Sequence, residues 1–169
     1  MLYFSYGSNM SSRRLLSRVP SAEYVTTALL PGHDLRFHKK SLDGSAKCDA
    51  FATRNDEHAV RGVIYRIAES HKASLDRIEG LGKGYEEKTV EILASTDEIL
   101  VAYTYYATFI DHRLKPYHWY KQHVLTGALE YALPERYIDR LHRIEAIDDP
   151  DPQRHADEIA IYGDNLTQR

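Results

Sequence analysis

Leu2-Tyr3-Phe4-Ser5-Tyr6-Gly7-Ser8-Asn9-Met10 is an apolar, aromatic run that stops at three turn-forming residues. Successive bulky residues of this kind suit a strand buried on both faces. Gly7 brings backbone freedom, while Ser8 and Asn9 can bond to nearby backbone groups. Residues 11–19 then read as a short helix that Ser11 or Ser12 can cap. A strand that passes through a glycine turn into a helix leaves backbone N–H groups pointing outward. Such groups can hold an anion or a polarised carbonyl oxygen. Residues 2–6 are therefore expected to form a central strand, and residues 7–9 a cradle.

Outward from that stretch, residues 22–30 carry the β-branched enrichment of a strand and end at Pro31-Gly32. Residues 34–38 alternate polar and apolar, as a half-buried strand does. Residues 39–49 are polar, contain Gly44 and Ser45, and are expected as a surface loop. Residues 50–54 and 60–67 read as strands. Residues 70–79 read as a helix with Ser70 as N-cap and Leu75 and Ile78 on one face. Residues 89–93 and 99–106 flank Ser95-Thr96-Asp97-Glu98 as a hairpin. Tyr120, Val124 and Ala128 recur at helical spacing within 118–132, and Pro134 opens a further helix with Tyr137, Ile138, Leu141 and Ile144 on its apolar face. Asp148 to Pro152 closes the compact region. The expectation is one domain over 1–147 and a loosely held polar tail over 148–169. Strands first and helices last make this an α+β fold with a curved or closed sheet.

The bulk numbers narrow the function. A net charge of −3 with both signs scattered gives no footprint for nucleic acid or for an anionic membrane. No run is long and apolar enough to span a bilayer, and the N-terminal stretch lacks the pattern of a secretory signal. With Cys48 the lone cysteine, no internal disulfide is implied, and the expected location is cytoplasmic. Cys48, in a polar stretch beside Lys47, reads as an incidental thiol. Nine histidines include no pair at four-residue spacing, so they read as scattered surface residues and no metal is expected. The unusual count is thirteen tyrosines, which suits a cavity whose walls are both apolar and hydrogen-bonding.

One carboxylate breaks a local rule. If the helix over 70–79 ends at Gly80, Glu79 lies in its last turn, against the negative end of the helix dipole. Three glycines fall within the next five residues and Tyr85 follows, so the backbone can open to a ligand. Dipole and burial would both raise the acid's pKa toward neutrality, as a general acid-base requires.

Together these stretches resemble the γ-glutamylcyclotransferase family. In that family a tyrosine-glycine-serine-asparagine loop after the first strand holds the γ-glutamyl group, as Tyr6-Gly7-Ser8-Asn9 would here. Its catalytic glutamate precedes a helix-ending glycine, with a tyrosine a few residues on, as Glu79-Gly80 and Tyr85 do. The segment from Pro116 to Lys121 resembles one whose tyrosine lines the substrate pocket, and Tyr120 takes that place. The resemblance spans residues 2 to 145. It implies a small mixed β-barrel with peripheral helices, Glu79 as the catalytic residue, and substrate contacts from Tyr3, Phe4, Ser5, Tyr6, Gly7, Ser8, Asn9, Tyr85 and Tyr120. Ser8 enters as a binding hydroxyl, since its turn lacks the second glycine of a nucleophile elbow. The implied reaction cyclises a γ-glutamyl amide or γ-glutamyl amino acid to 5-oxoproline, with no cofactor and only a small molecule as partner. Two readings from other classes stand beside it: a binding module that kept the cavity without the chemistry, and an interaction protein using the 118–144 helical region.

Overall fold

The computed structural model describes residues 1–163, which build a closed barrel of five strands in the order β1-β5-β2-β6-β7. β1 (Leu2–Ser5) lies between β5 (Ala59–Arg66), antiparallel to it, and β7 (Ile99–Ala107), which it meets in parallel through Tyr3 and Tyr103. The opening run is thus a central strand, with Tyr3, Phe4, Ser5 and Tyr6 all buried. β2 (Glu23–Pro31) pairs with β5 along its length and with β6 (Tyr85–Ala94) through Ala28 and Leu29. β6 and β7 form the expected hairpin. Parallel neighbours cannot be joined by a tight turn, so the β1–β7 seam closes only after most of the chain has been laid down.

β3 (His33–Lys40) and β4 (Ala46–Ala52) make a separate two-stranded sheet, which corrects the expected surface loop over 39–49. Lys39 and Lys40 finish β3 and Cys48 pairs opposite Phe37, so only residues 41–45 turn. The polar composition misled because its polar groups are satisfied inside. Asp49 accepts from His38 at 2.8 Å and from the Ala107 N–H at 2.8 Å.

Among the described residues, five helices surround the barrel: α1 (Ser12–Arg18), α2 (Glu69–Glu79), α3 (His118–Glu130), α4 (Glu135–Arg143) and α5 (Pro152–Ala160). Caps shift by a residue or two from expectation, since Ala68 rather than Ser70 caps α2 and Pro134 is the N-cap of α4. Ser11 sits at the N-cap of α1 without bonding it, and Glu130 of α3 accepts from the Ser12 N–H at 3.1 Å instead. A Cβ on Gly127 would stand 2.5 Å from Met10 Cβ. Only glycine lets the α3 backbone press this closely on the turn that follows β1.

The expectation of a loosely held tail is corrected over residues 152–162. Tyr162 is buried, and its hydroxyl donates to Ser11 Oγ at 3.0 Å. His123 Nε2 lies 2.8 Å from Arg14 Nη1 and 3.1 Å from Glu158 Oε2, and its Nδ1 lies 2.6 Å from the Tyr162 oxygen. Glu158 of α5 takes the Arg14 charge. α1, α3 and α5 are thereby tied into one polar network. His123 is fully buried and His38 nearly so, which corrects the reading of the histidines as surface residues. Residues 164–169 of the proposed tail lie outside the described residues.

Candidate active site

A small cavity opens where β1 runs into the turn at Gly7. Its floor is backbone. Met10 N–H closes on Gly7 O at 3.0 Å to make a single 3-10 turn over Ser8–Met10. Among the described residues, the N–H groups of Gly7, Ser8 and Asn9 have no acceptor. Free N–H groups at such a turn are a ready site for an anionic or polarised oxygen.

The acid comes from the other side. α2 ends when Gly80 enters the left-handed region at φ 76°, with its N–H returned to Asp76 O at 3.0 Å. That leaves Glu79 as the last helical residue, half-buried, with Oε1 accepting from Asn9 Nδ2. The Asn9 amide cannot flip. Arg18 donates to its Oδ1 at 3.2 Å, so the NH₂ must face Glu79. Burial pushes the Glu79 carboxyl above the ordinary carboxylate range, against the opposing pull of Arg18, Arg14, Lys39 and the Asn9 hydrogen bond.

Tyrosine rings form the walls. Tyr6 donates to Tyr105 O at 2.6 Å, Tyr85 donates to Cys48 O, and Tyr120 accepts from Cys48 N–H at 3.0 Å. Three hydroxyls are thus committed to backbone, and their rings are fixed as apolar surfaces. Ser5 Oγ is buried in the same wall without a partner among the described residues.

Residues 59–141 match the AIG2-like family. The chain is 32% identical over 154 residues to the γ-glutamylcyclotransferase of Bos taurus, across 87% of this chain and 80% of the relative. It belongs to the γ-glutamylcyclotransferase family. The Homo sapiens γ-glutamylcyclotransferase is 31% identical over 153 residues, with the same coverage of the two chains. A solved structure described as γ-glutamyl cyclotransferase superposes with a TM-score of 0.84 at 28% identity, covering 94% of this chain and 96% of the other.

Of the nine residues given a binding role from this family's pattern, eight line the cavity together with Glu79: Tyr3 and Ser5 from the strand, Tyr6 just beyond it, Gly7, Ser8 and Asn9 from the turn, and Tyr85 and Tyr120 from opposite walls. Phe4 does not. Side chains alternate along a strand, so Tyr3 and Ser5 share the cavity side while Phe4 turns away, its ring over Gly62. Two lining residues escaped the sequence reading. Tyr105 sits at an ordinary alternating position of β7, where only its count among thirteen tyrosines hinted at a cavity role. Cys48 was placed in a loop, yet its backbone is the shared anchor of Tyr85 and Tyr120. Burial pushes its thiol well above the ordinary range, so it is a wall and not a nucleophile.

Proposed function

We propose that this cyclotransferase seats the γ-glutamyl group on the Gly7–Asn9 turn and uses Glu79 as its proton shuttle. The substrate supplies its own nucleophile. Its α-amino nitrogen attacks the γ-carbonyl carbon and closes a five-membered lactam, which removes any need for a covalent enzyme intermediate. An α-ammonium has a pKa of about 8, so a base must first take its proton. Glu79 takes it, and the new C–N bond pushes electrons onto the carbonyl oxygen, where the free N–H groups of the turn stabilise the oxyanion. As the oxyanion collapses, the old C–N bond breaks and Glu79 returns the proton to the departing nitrogen. The ring nitrogen, left with two protons by the attack, gives the second to Glu79, which passes it to the released amine. The products are 5-oxoproline and a free amine or amino acid.

The observation that carries this reading is the Asn9–Glu79 hydrogen bond, which joins the acid to the cradle. Lactam closure needs both within one substrate length. In this reading the reaction draws on neither metal nor organic cofactor, because nucleophile and electrophile arrive in one molecule. The enzyme is assigned to the cytoplasm, where its single thiol needs no oxidising partner, and neither nucleic acid nor membrane is a partner. The test is incubation of the purified protein with a panel of γ-glutamyl amino acids and γ-glutamyl amines, with 5-oxoproline as the readout. Its absence from every member of the panel would overturn the proposal.

A further inference from the structure

Lys39, next to last in β3, is only 7% exposed, and its Nζ lies 4.7 Å from the centroid of the Tyr85 ring. Other inward lysines have acids to hold. Lys47 binds Asp43 at 2.7 Å, and Lys72 binds both Asp76 and Glu87. Among the described residues, no carboxylate stands within 4.0 Å of Lys39 Nζ and no acceptor takes its protons. Burial lowers its pKa, and Glu79 and Asp43 are the acids that oppose the shift. The stem is packed away while the ammonium keeps contact with solvent, so its protons are free for an anionic group that enters beside Tyr85. Tyr85, under the Lys39 charge, lines the same cavity as Glu79.

We infer that Lys39 is a specificity-determining residue for the leaving group, and that it takes the α-carboxylate of a departing amino acid. The inference rests on the γ-glutamyl chemistry proposed above. The nitrogen that Glu79 reprotonates must lie beside Glu79, and the carboxylate of an amino acid is one carbon further on. A neutral amine gains nothing from Lys39, and a leaving group with a second positive charge is repelled. The family resemblance assigns no residue to this side of the pocket. The charged segment Glu86-Glu87-Lys88 does not supply the contact either, since Glu87 is committed to Lys72 and Lys88 to His33 at 2.7 Å.

The test compares γ-glutamyl-alanine with γ-glutamyl-ethylamide, which differ by that carboxylate alone, in the parent, Lys39→Gln and Lys39→Arg. A charge-assisted hydrogen bond predicts that the ratio of kcat/KM for the two substrates falls about 10- to 100-fold in Lys39→Gln and stays near the parent value in Lys39→Arg. An unchanged ratio overturns the inference. So does an equal loss on both substrates with a shifted pH profile, which would mean that Lys39 acts through the charge of Glu79. If the parent forms no 5-oxoproline from either substrate or from the wider panel, the functional proposal has failed and takes this inference with it. If the parent turns over both with a preference that ignores Lys39, only this inference falls.

Discussion

Replacing Glu79 with Gln separates its chemical role from its structural one. The glutamine Oε1 still accepts from Asn9, so a hydrogen bond worth about 1 kcal/mol survives and the turn stays in place. What disappears is the ability to accept the α-ammonium proton and deliver one to the leaving nitrogen. General acid-base groups contribute about 10²- to 10⁴-fold, or about 2.7 to 5.4 kcal/mol of barrier, so kcat should fall by that factor. Substrate affinity should move far less, because its polar contacts come from the turn. Stability provides the control. Burial raises the Glu79 pKa in the fold, so the folded state holds the proton more tightly than the unfolded chain. That contribution is fully present below the unfolded carboxylate pKa and is lost as pH rises through the folded value. Glu79→Gln should therefore unfold at or above the parent temperature at pH 7, with the difference fading in acid. Steady-state 5-oxoproline release, ligand titration and thermal melts at two pH values make the comparison. A well-folded Glu79→Gln protein that turns over near the parent rate would refute the shuttle and direct attention to Glu86 or Glu87.

Gly7→Val should raise KM and lower kcat together. Even its Cβ would stand 3.2 Å from Cys48 Cβ and 3.3 Å from the Tyr120 hydroxyl oxygen, and unchanged kinetics in a folded variant would exclude the turn as the cradle. Acid should loosen the docked C-terminal helix. Burial pushes His123 down to about 4, while for Glu158 the hydrogen bond to His123 and the charge of Arg14 outweigh burial and hold it at about 2. Both folded values lie below the unfolded ones, so stability present at neutral pH should drain away as pH falls, through about 6.5 to 4 for His123 and then about 4.5 to 2 for Glu158. Melting temperature against pH should show that slope in the parent and a flatter one in His123→Gln; parallel curves would count against it. Dialysis against a strong chelator should leave the rate unchanged, because the substrate carries its own nucleophile, and a loss restored by a divalent ion would contradict the cofactor-free reaction.

What the sequence determined by itself was local. The aromatic run of β1, the break at Gly7-Ser8-Asn9 and the helix stop at Gly80 are written in side-chain size, backbone freedom and periodicity, which act between near neighbours. Those signals also placed Glu79 at a helix end, and the family pattern then supplied its role. Tertiary structure decided what depends on distance along the chain. Asn9 and Glu79 are 70 positions apart, and only barrel closure brings the carboxylate to the amide that Arg18 orients. Cys48 looked like loop because its neighbours are polar, but those groups are buried in pairs such as His38–Asp49 that no local pattern announces. Phe4 was assigned to the pocket with its neighbours, and strand alternation turned it away once β1 was fixed between two others. The α5 segment reads as a loosely held tail because it is mostly polar, and it is held because the Glu158 charge meets Arg14 of α1 across 144 positions. Apolar periodicity records which face must leave water. The partner of a buried charge is chosen only when the fold has brought the two together.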